Sequence, residues 1–331
     1  MKLKALVKST AVFAASVLMA TSVSATTFKV AIGDAAGGTQ HELGKAFAAS
    51  LSELTNGEAK ADLFPNSQLG DETDTVNDAA MGLLDFSILA INNVTPFSPS
   101  VGILTLPYVI QSLEDAKTLT LGEVGKELTE NTIRDAGVRI IGWSYSGFRV
   151  LTNSKRPVKT LDDLKGLVIR VPRNEIMIAT YNAWGLNPTP LAWTETFTAL
   201  QQQVVDGQDN PYITVSAMKF DEVQKYITNI RYLFSLEPLI VSESIFQSQT
   251  PEMQQAILDA GMKATEHSYA FLEEAEERIK KELIEAGMEI SEPANDEKEW
   301  IEAATTQVWP SFYDQVGGKE RLDQILASLG R

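Results

Sequence analysis

The sequence has no cysteine in its 331 residues and only two histidines, His41 and His267. The first absence excludes disulfide frameworks, thiol nucleophiles and cysteine-ligated zinc. The second leaves little for a histidine metal site, and neither histidine sits in a motif with a nucleophile. No Gly-x-Ser-x-Gly elbow, His-Glu-x-x-His pair or paired-glycine dinucleotide fingerprint occurs. Basic residues are also scarce, 28 Lys and Arg against 44 Asp and Glu, for a net charge of −16. That balance argues against nucleic-acid or anionic-membrane partners. Long apolar runs are missing too. The longest, residues 11–20, falls short of the roughly 20 residues that span a bilayer. No cofactor or metal is called for, and the reading is a binding protein rather than an enzyme.

That short run belongs to a leader. Lys2, Lys4 and Lys8 precede it, and Val23-Ser24-Ala25 follows as a small-residue cleavage site. This is the pattern of a secretory signal peptide, residues 1–25, cut after Ala25. Its loss removes three lysines and takes the net charge from −16 to −19. Any anion site on the remainder must be a local positive pocket in a repulsive field.

The remainder alternates strands and helices, which predicts an α/β fold with ligands at the carboxyl ends of strands. Residues 28–32 read as a first strand, followed by a glycine-rich turn and a helix that Thr39 can cap, with Leu43, Phe47 and Leu51 on one face. The turn lacks P-loop spacing, because Ala46 stands where Ser or Thr is required. Strands are expected at 59–64, 84–89 and 138–143, with a helix from 71 to 81. Leu272, Ala275, Ile279, Leu283 and Ala286 mark one face of a long helix running from about 250 to 287.

The densest stretch is residues 163–211. Leu167-Val168-Ile169 reads as a short buried strand ending at Arg170. A guanidinium keeps its proton, so burying Arg170 demands an acceptor: an internal carboxylate or an anionic ligand. A helix from 175 to 184 ends at Gly185. Asn187-Pro188-Thr189-Pro190 is a rigid loop that delivers Trp193. A second helix, capped by Thr194, presents Phe197, Leu200 and Val204.

The ordered run Asp163-Leu164-Lys165-Gly166, Ile169-Arg170-Val171-Pro172, Pro188-Thr189-Pro190-Leu191, Glu195, Phe197, Ala199-Leu200-Gln201 and Val205-Asp206-Gly207-Gln208-Asp209-Asn210-Pro211 resembles one family. It is that of the solute-binding receptors of tripartite ATP-independent periplasmic (TRAP) transporters. Pro65 to Gly70, Leu106-Pro107-Tyr108 and Gly147-Phe148-Arg149 resemble it as well. The likeness implies a two-lobed periplasmic-binding-protein fold with mixed sheets, a hinge and a long helix spanning both lobes. Lobe I would comprise 26–148 plus about 236–275, and lobe II 149–235 plus about 276–331.

The resemblance also implies roles. Arg170 would hold the acid group of a small organic anion through two parallel hydrogen bonds, with Arg149 adding charge, Asn210 donating through its amide and Trp193 forming an apolar wall. Asp34, Gln40 and Asn92 would line the cleft, Arg173 is a nearby cation, and Tyr108 is either a cleft aromatic or a core residue. Trp143 and Trp184 read as core. Glu195, Gln208, Asp209 and Glu237 are candidates for a cation bridging the ligand. The partner implied is a membrane permease. The alternative is an extracytoplasmic sensor that presents its ligand to a signalling receptor. The solute stays open among dicarboxylates, sugar acids, keto acids, amino acids and sulfonates.

Overall fold

The computed structural model describes residues 25–331, so the leader, apart from Ala25, lies outside the described residues. The strands in chain order are β1 Thr26–Ile32, β2 Ala59–Phe64, β3 Phe86–Ile88, β4 Val138–Asn153, β5 Arg170–Val171, β6 Thr189–Pro190, β7 Gly207–Pro211, β8 Tyr226–Thr228, β9 Phe234–Ser242 and β10 Glu289–Ser291. The architecture is mixed α/β, and the main sheet is mixed. It runs β10-β8-β4-β9-β3-β1-β2, with β7 also on β4, and β5 and β6 form a separate parallel pair.

Parallel β2, β1 and β3 meet antiparallel β9, which meets the first two-thirds of β4. The last residues of β4 leave β9 and pair instead with β7 and β8. One strand therefore belongs to two sheet regions. The sequence pattern predicts a strand only over 138–143. The chain instead stays extended to Asn153, absorbing two register shifts next to Gly142 and Gly147. Nearly all of β4 is buried, so the serines face covered surfaces rather than solvent.

Three further expectations are corrected. Leu167-Val168-Ile169 is not the strand; β5 is Arg170–Val171, with Ile169 bridging Gly207. Thr39 lies inside its helix, Thr39–Leu54, behind an N-cap at Gly38, and its hydroxyl serves the site below. Thr194 likewise lies inside the helix Trp193–Gln201, and Val204 is exposed beyond its end. The predicted long helix is one element, Pro251–Glu285, with the hydroxyl of Thr250 accepting from the Met253 N–H at its start. Its first half packs with Phe28, Phe47 and Phe86 around β1 and β3. Its second half adds Leu272, Ala275, Ile279 and Leu283 to a separate cluster containing Trp143. Trp184 is also core, with its ring 5.0 Å from Trp300 and 5.1 Å from Tyr232.

Candidate functional site

The two sheet regions bring opposite charges to one cavity. Asp34 follows β1, Ala90, Asn92 and Asn93 follow β3, Glu72 opens the helix Glu72–Ala80, and Glu237 lies in β9. Facing them are Arg149 from β4, Arg170 from β5, Trp193, and Asn210 from β7. The free space at the centre is about 20 Å³, room for about one water-sized sphere. The walls are tied directly. The Trp193 indole N–H donates to the Gly33 carbonyl at 3.2 Å, and Asn174 donates to the Asn92 carbonyl at 3.1 Å.

The two arginines differ in a way their sequence context does not show. Both are 2% exposed. Arg149 is paired internally. Its Nε donates to the Asp209 carboxylate at 2.8 Å, and Tyr232 donates to the same oxygen. Burial opposes its charge most, but the Asp209 carboxylate together with Tyr232 and Tyr181 outweighs that and holds its pKa above the ordinary arginine value. Arg170 has no ion pair among the described residues. Its Nε and Nη2 donate to one neutral acceptor, the Leu191 carbonyl, at 3.2 and 2.8 Å. The guanidinium also stands 5.7 Å from the centre of the Trp193 ring. Burial first, and then the like charge of Arg149, pull its pKa down to about 10. It remains a cation at neutral pH, held where a cation is costly.

The opposite wall is acidic and just as buried. Glu72 accepts from Gln40 at 2.8 Å, from the Ala90 N–H at 3.2 Å and from Asn93. Glu237 accepts from Thr39 at 2.8 Å. Asp34 has its Oδ2 buried with no hydrogen-bond partner. Burial pushes all three carboxyls up. Repulsion by Glu237 and Glu72 adds to the rise at Asp34, and Glu237 reaches about 7. Gly33 makes room for Glu72, since a Cβ there would lie 2.2 Å from Glu72 Oε1.

Of the residues singled out from sequence, Asp34, Gln40, Asn92, Arg149, Arg170, Trp193 and Asn210 converge on the cavity. Tyr108 and Arg173 do not. Tyr108 is core, 5% exposed, and its hydroxyl donates to Glu297 at 3.0 Å. Arg173 is exposed, pairs with Glu195 at 3.3 Å and borders a neighbouring groove with Pro96 and Gln315. Asn210 donates one amide N–H to Gln208 at 2.6 Å and keeps a second. Nor do the cation candidates converge, because Glu195 serves Arg173, Asp209 serves Arg149, and Gln208 serves Thr152 and accepts from Asn210.

Sequence reading gave Glu72 and Thr214 no role in the site. Glu72 looks like any acid in the first turn of a helix, where the dipole favours it. Glu237 was read only as a cation candidate. A stronger signal was present, because it is the one charged residue in the wholly buried β9.

Residues 31–315 match the model of the bacterial extracellular solute-binding proteins, family 7. The chain belongs to that family. It is therefore a solute-binding receptor of the TRAP type, and its relatives bind small organic anions. It is 31% identical over 278 residues to the 2,3-diketo-L-gulonate-binding periplasmic protein of Escherichia coli, covering 84% of each chain. A TRAP periplasmic solute-binding protein from Roseobacter denitrificans, solved with L-galactonate, is 30% identical. The match covers 91% of this chain and all of that one, with a TM-score of 0.83. A Rhodobacter sphaeroides relative, apo and open, is 40% identical over 92% and 99% of the two chains, yet superposes less well, at 0.76. None of the described helices of this family 7 chain is long and apolar enough to cross a membrane.

Proposed function

We propose that this receptor captures a small organic acid between two lobes and delivers it to a membrane permease. The observation that carries the reading is Arg170, a buried guanidinium with no counter-ion among the described residues. A carboxylate entering the cavity supplies the missing charge through two parallel hydrogen bonds. Arg149, already neutralised by Asp209, adds field and rigidity rather than a free charge. Trp193 covers the bound acid from the side.

The lobes are the two sheet regions, one built on β1, β2, β3 and β9 and the other on β7, β8 and β10. The hinge lies where β4 and β9 cross between them. A cavity of about 20 Å³ admits no organic acid, so capture begins from an opened form and ends with closure. The better superposition on the L-galactonate complex than on the apo, open relative supports reading this arrangement as closed. Closure excludes water and so strengthens the Arg170–carboxylate pair. Export by the leader, with cleavage after Ala25, places the mature chain in the periplasm. The acids bound by its relatives make sugar acids the first solutes to test.

A thermal-shift screen of residues 26–331 against organic acids tests this. A ligand at about 100 times its dissociation constant adds about 2.7 kcal/mol of stability. Arg170→Ala is expected to abolish the shift while the unliganded protein still unfolds cooperatively. An undiminished shift in that variant would reject the assignment.

A further inference from the structure

The cavity has two chemically different ends, and only one of them suits a carboxylate. At the basic end stands Arg170. At the other end stand Asp34, Glu72 and Glu237, each under 5% exposed. An acid group placed there meets three carboxyls. Two of these acids have donors from the protein. Glu72 is held by Gln40, Asn93 and the Ala90 N–H, and Glu237 by Thr39. Asp34 is the exception, since its Oδ2 is buried and unpartnered.

Two neighbouring side chains already commit donors elsewhere. Gln40 accepts at Oε1 from the backbone N–H groups of Gly33 and Asp34, at 2.8 and 3.1 Å. That fixes the amide, and its nitrogen donates to Glu72. The Nε and Nη2 of Arg149 are both spent on Asp209. A buried acceptor left without a donor is unfavourable, and Asp34 lines the cavity, so what fills the cavity can supply a donor to its carboxyl.

We propose that Asp34 is a specificity-determining residue, selecting a monocarboxylate with a hydroxyl on the end away from the acid group and, with Glu72 and Glu237, rejecting dicarboxylates. This rests on the organic-acid reading above. A hydroxyl fits better than an ammonium for a further reason. Burial raises Asp34 and Glu237, with repulsion by Glu237 and Glu72 adding at Asp34 and by Glu72 at Glu237, so both hold protons more firmly than free carboxyls do. A hydroxyl can donate to a bare oxygen and accept from a protonated one. An ammonium can only donate.

Titration calorimetry on residues 26–331 separates the cases with pairs of acids that differ only at the far end. D-erythronate and L-galactonate end in a hydroxyl, and meso-tartrate and galactarate are the matching dicarboxylates. The hydroxy acids are expected to bind more than about 100-fold tighter than their dicarboxylate partners, because like-charge juxtaposition is costly. In Asp34→Asn, which keeps the shape and removes the charge, that ratio falls at least tenfold or so. Asp34→Ala is expected to weaken the hydroxy acids themselves.

Comparable binding of meso-tartrate or galactarate, lost in Arg170→Ala, would overturn this proposal and leave the organic-acid reading standing. An unchanged ratio in Asp34→Asn would overturn it as well. So would 4-aminobutyrate binding tighter than 4-hydroxybutyrate, which would assign the acidic end to a cation. Binding of none of these acids would count against both readings.

Discussion

Arg149 and Arg170 are equally buried and line the same cavity, yet they predict opposite phenotypes. Removing Arg149 leaves the Asp209 carboxylate buried without its counter-ion, held only by the Tyr232 hydroxyl. Breaking a buried pair in this way costs about 3–5 kcal/mol. Arg149→Ala should therefore lower the midpoint of urea unfolding even without ligand. Arg170→Met removes a buried charge that has only a carbonyl as partner and keeps most of the volume. The unliganded variant should be at least as stable as the parent in the same titration, while affinity falls by roughly 2–5 kcal/mol. Glu237 carries a pH signature. Burial lifts its pKa from an ordinary carboxyl value of 4.5 to about 7. Between those values the folded chain binds more protons than the unfolded one, so stability falls as pH rises. The contribution is complete below 4.5 and is lost as pH passes about 7. Melting curves from about pH 5 to pH 8 should show a decline that Glu237→Gln reduces.

At the scale of elements, the long helix and β4 explain each other. Gly261 sits mid-helix where the backbone of β4 passes, and a Cβ there would lie 2.2 Å from the Ile141 carbonyl oxygen. Across the contact, a Cβ at Gly142 would lie 2.7 Å from the Gly261 carbonyl. Gly142 is also where β4 shifts register against β9. Alanine is the better helix former by about 1 kcal/mol. Gly261→Ala should nonetheless destabilise the protein, because backbone atoms on both sides must move. Chemical denaturation of this variant against an exposed alanine control gives the sign. The long helix was legible because its apolar spacing is regular and Thr250-Pro251 marks its start. The reach of β4 was not, because a strand covered on both faces can bury serines and bend at glycines that look like a turn.

At the scale of the whole molecule, two direct hydrogen bonds tie the cavity walls together without ligand. Trp193 to Gly33 and Asn174 to Asn92 are the direct links described above. Each neutral hydrogen bond is worth only about 1 kcal/mol net. The cavity meanwhile holds a cation and an Asp34 oxygen that have no partner of opposite charge or donor among the described residues, and both favour opening. The free protein should therefore be more open in solution than the liganded one. Small-angle scattering should show a radius of gyration that contracts on adding the acid with the largest thermal shift. Trp193→Phe deletes one link, and calorimetry should register weaker binding of the same acid by up to about tenfold.

The sequence by itself determined the class of this protein. The lack of cysteine and of catalytic motifs, the acidic balance, the strand–helix alternation and the ordered run from Asp163 to Pro211 point to a receptor for small acids. It also singled out Arg170, because an arginine at the end of an apolar run must find an acceptor. The tertiary structure decided what local sequence cannot encode, namely which charges meet. Arg149 finds Asp209, 60 positions away, and Arg170 finds no carboxylate among the described residues. Tyr108 turns to Glu297, 189 positions away, and leaves the cleft. Glu72 and Glu237 come together with Asp34 only because β1, β3 and β9 are neighbours in one sheet. Pairing energies depend on separation in space and on burial, and both are set by the packing of strands far apart in the chain.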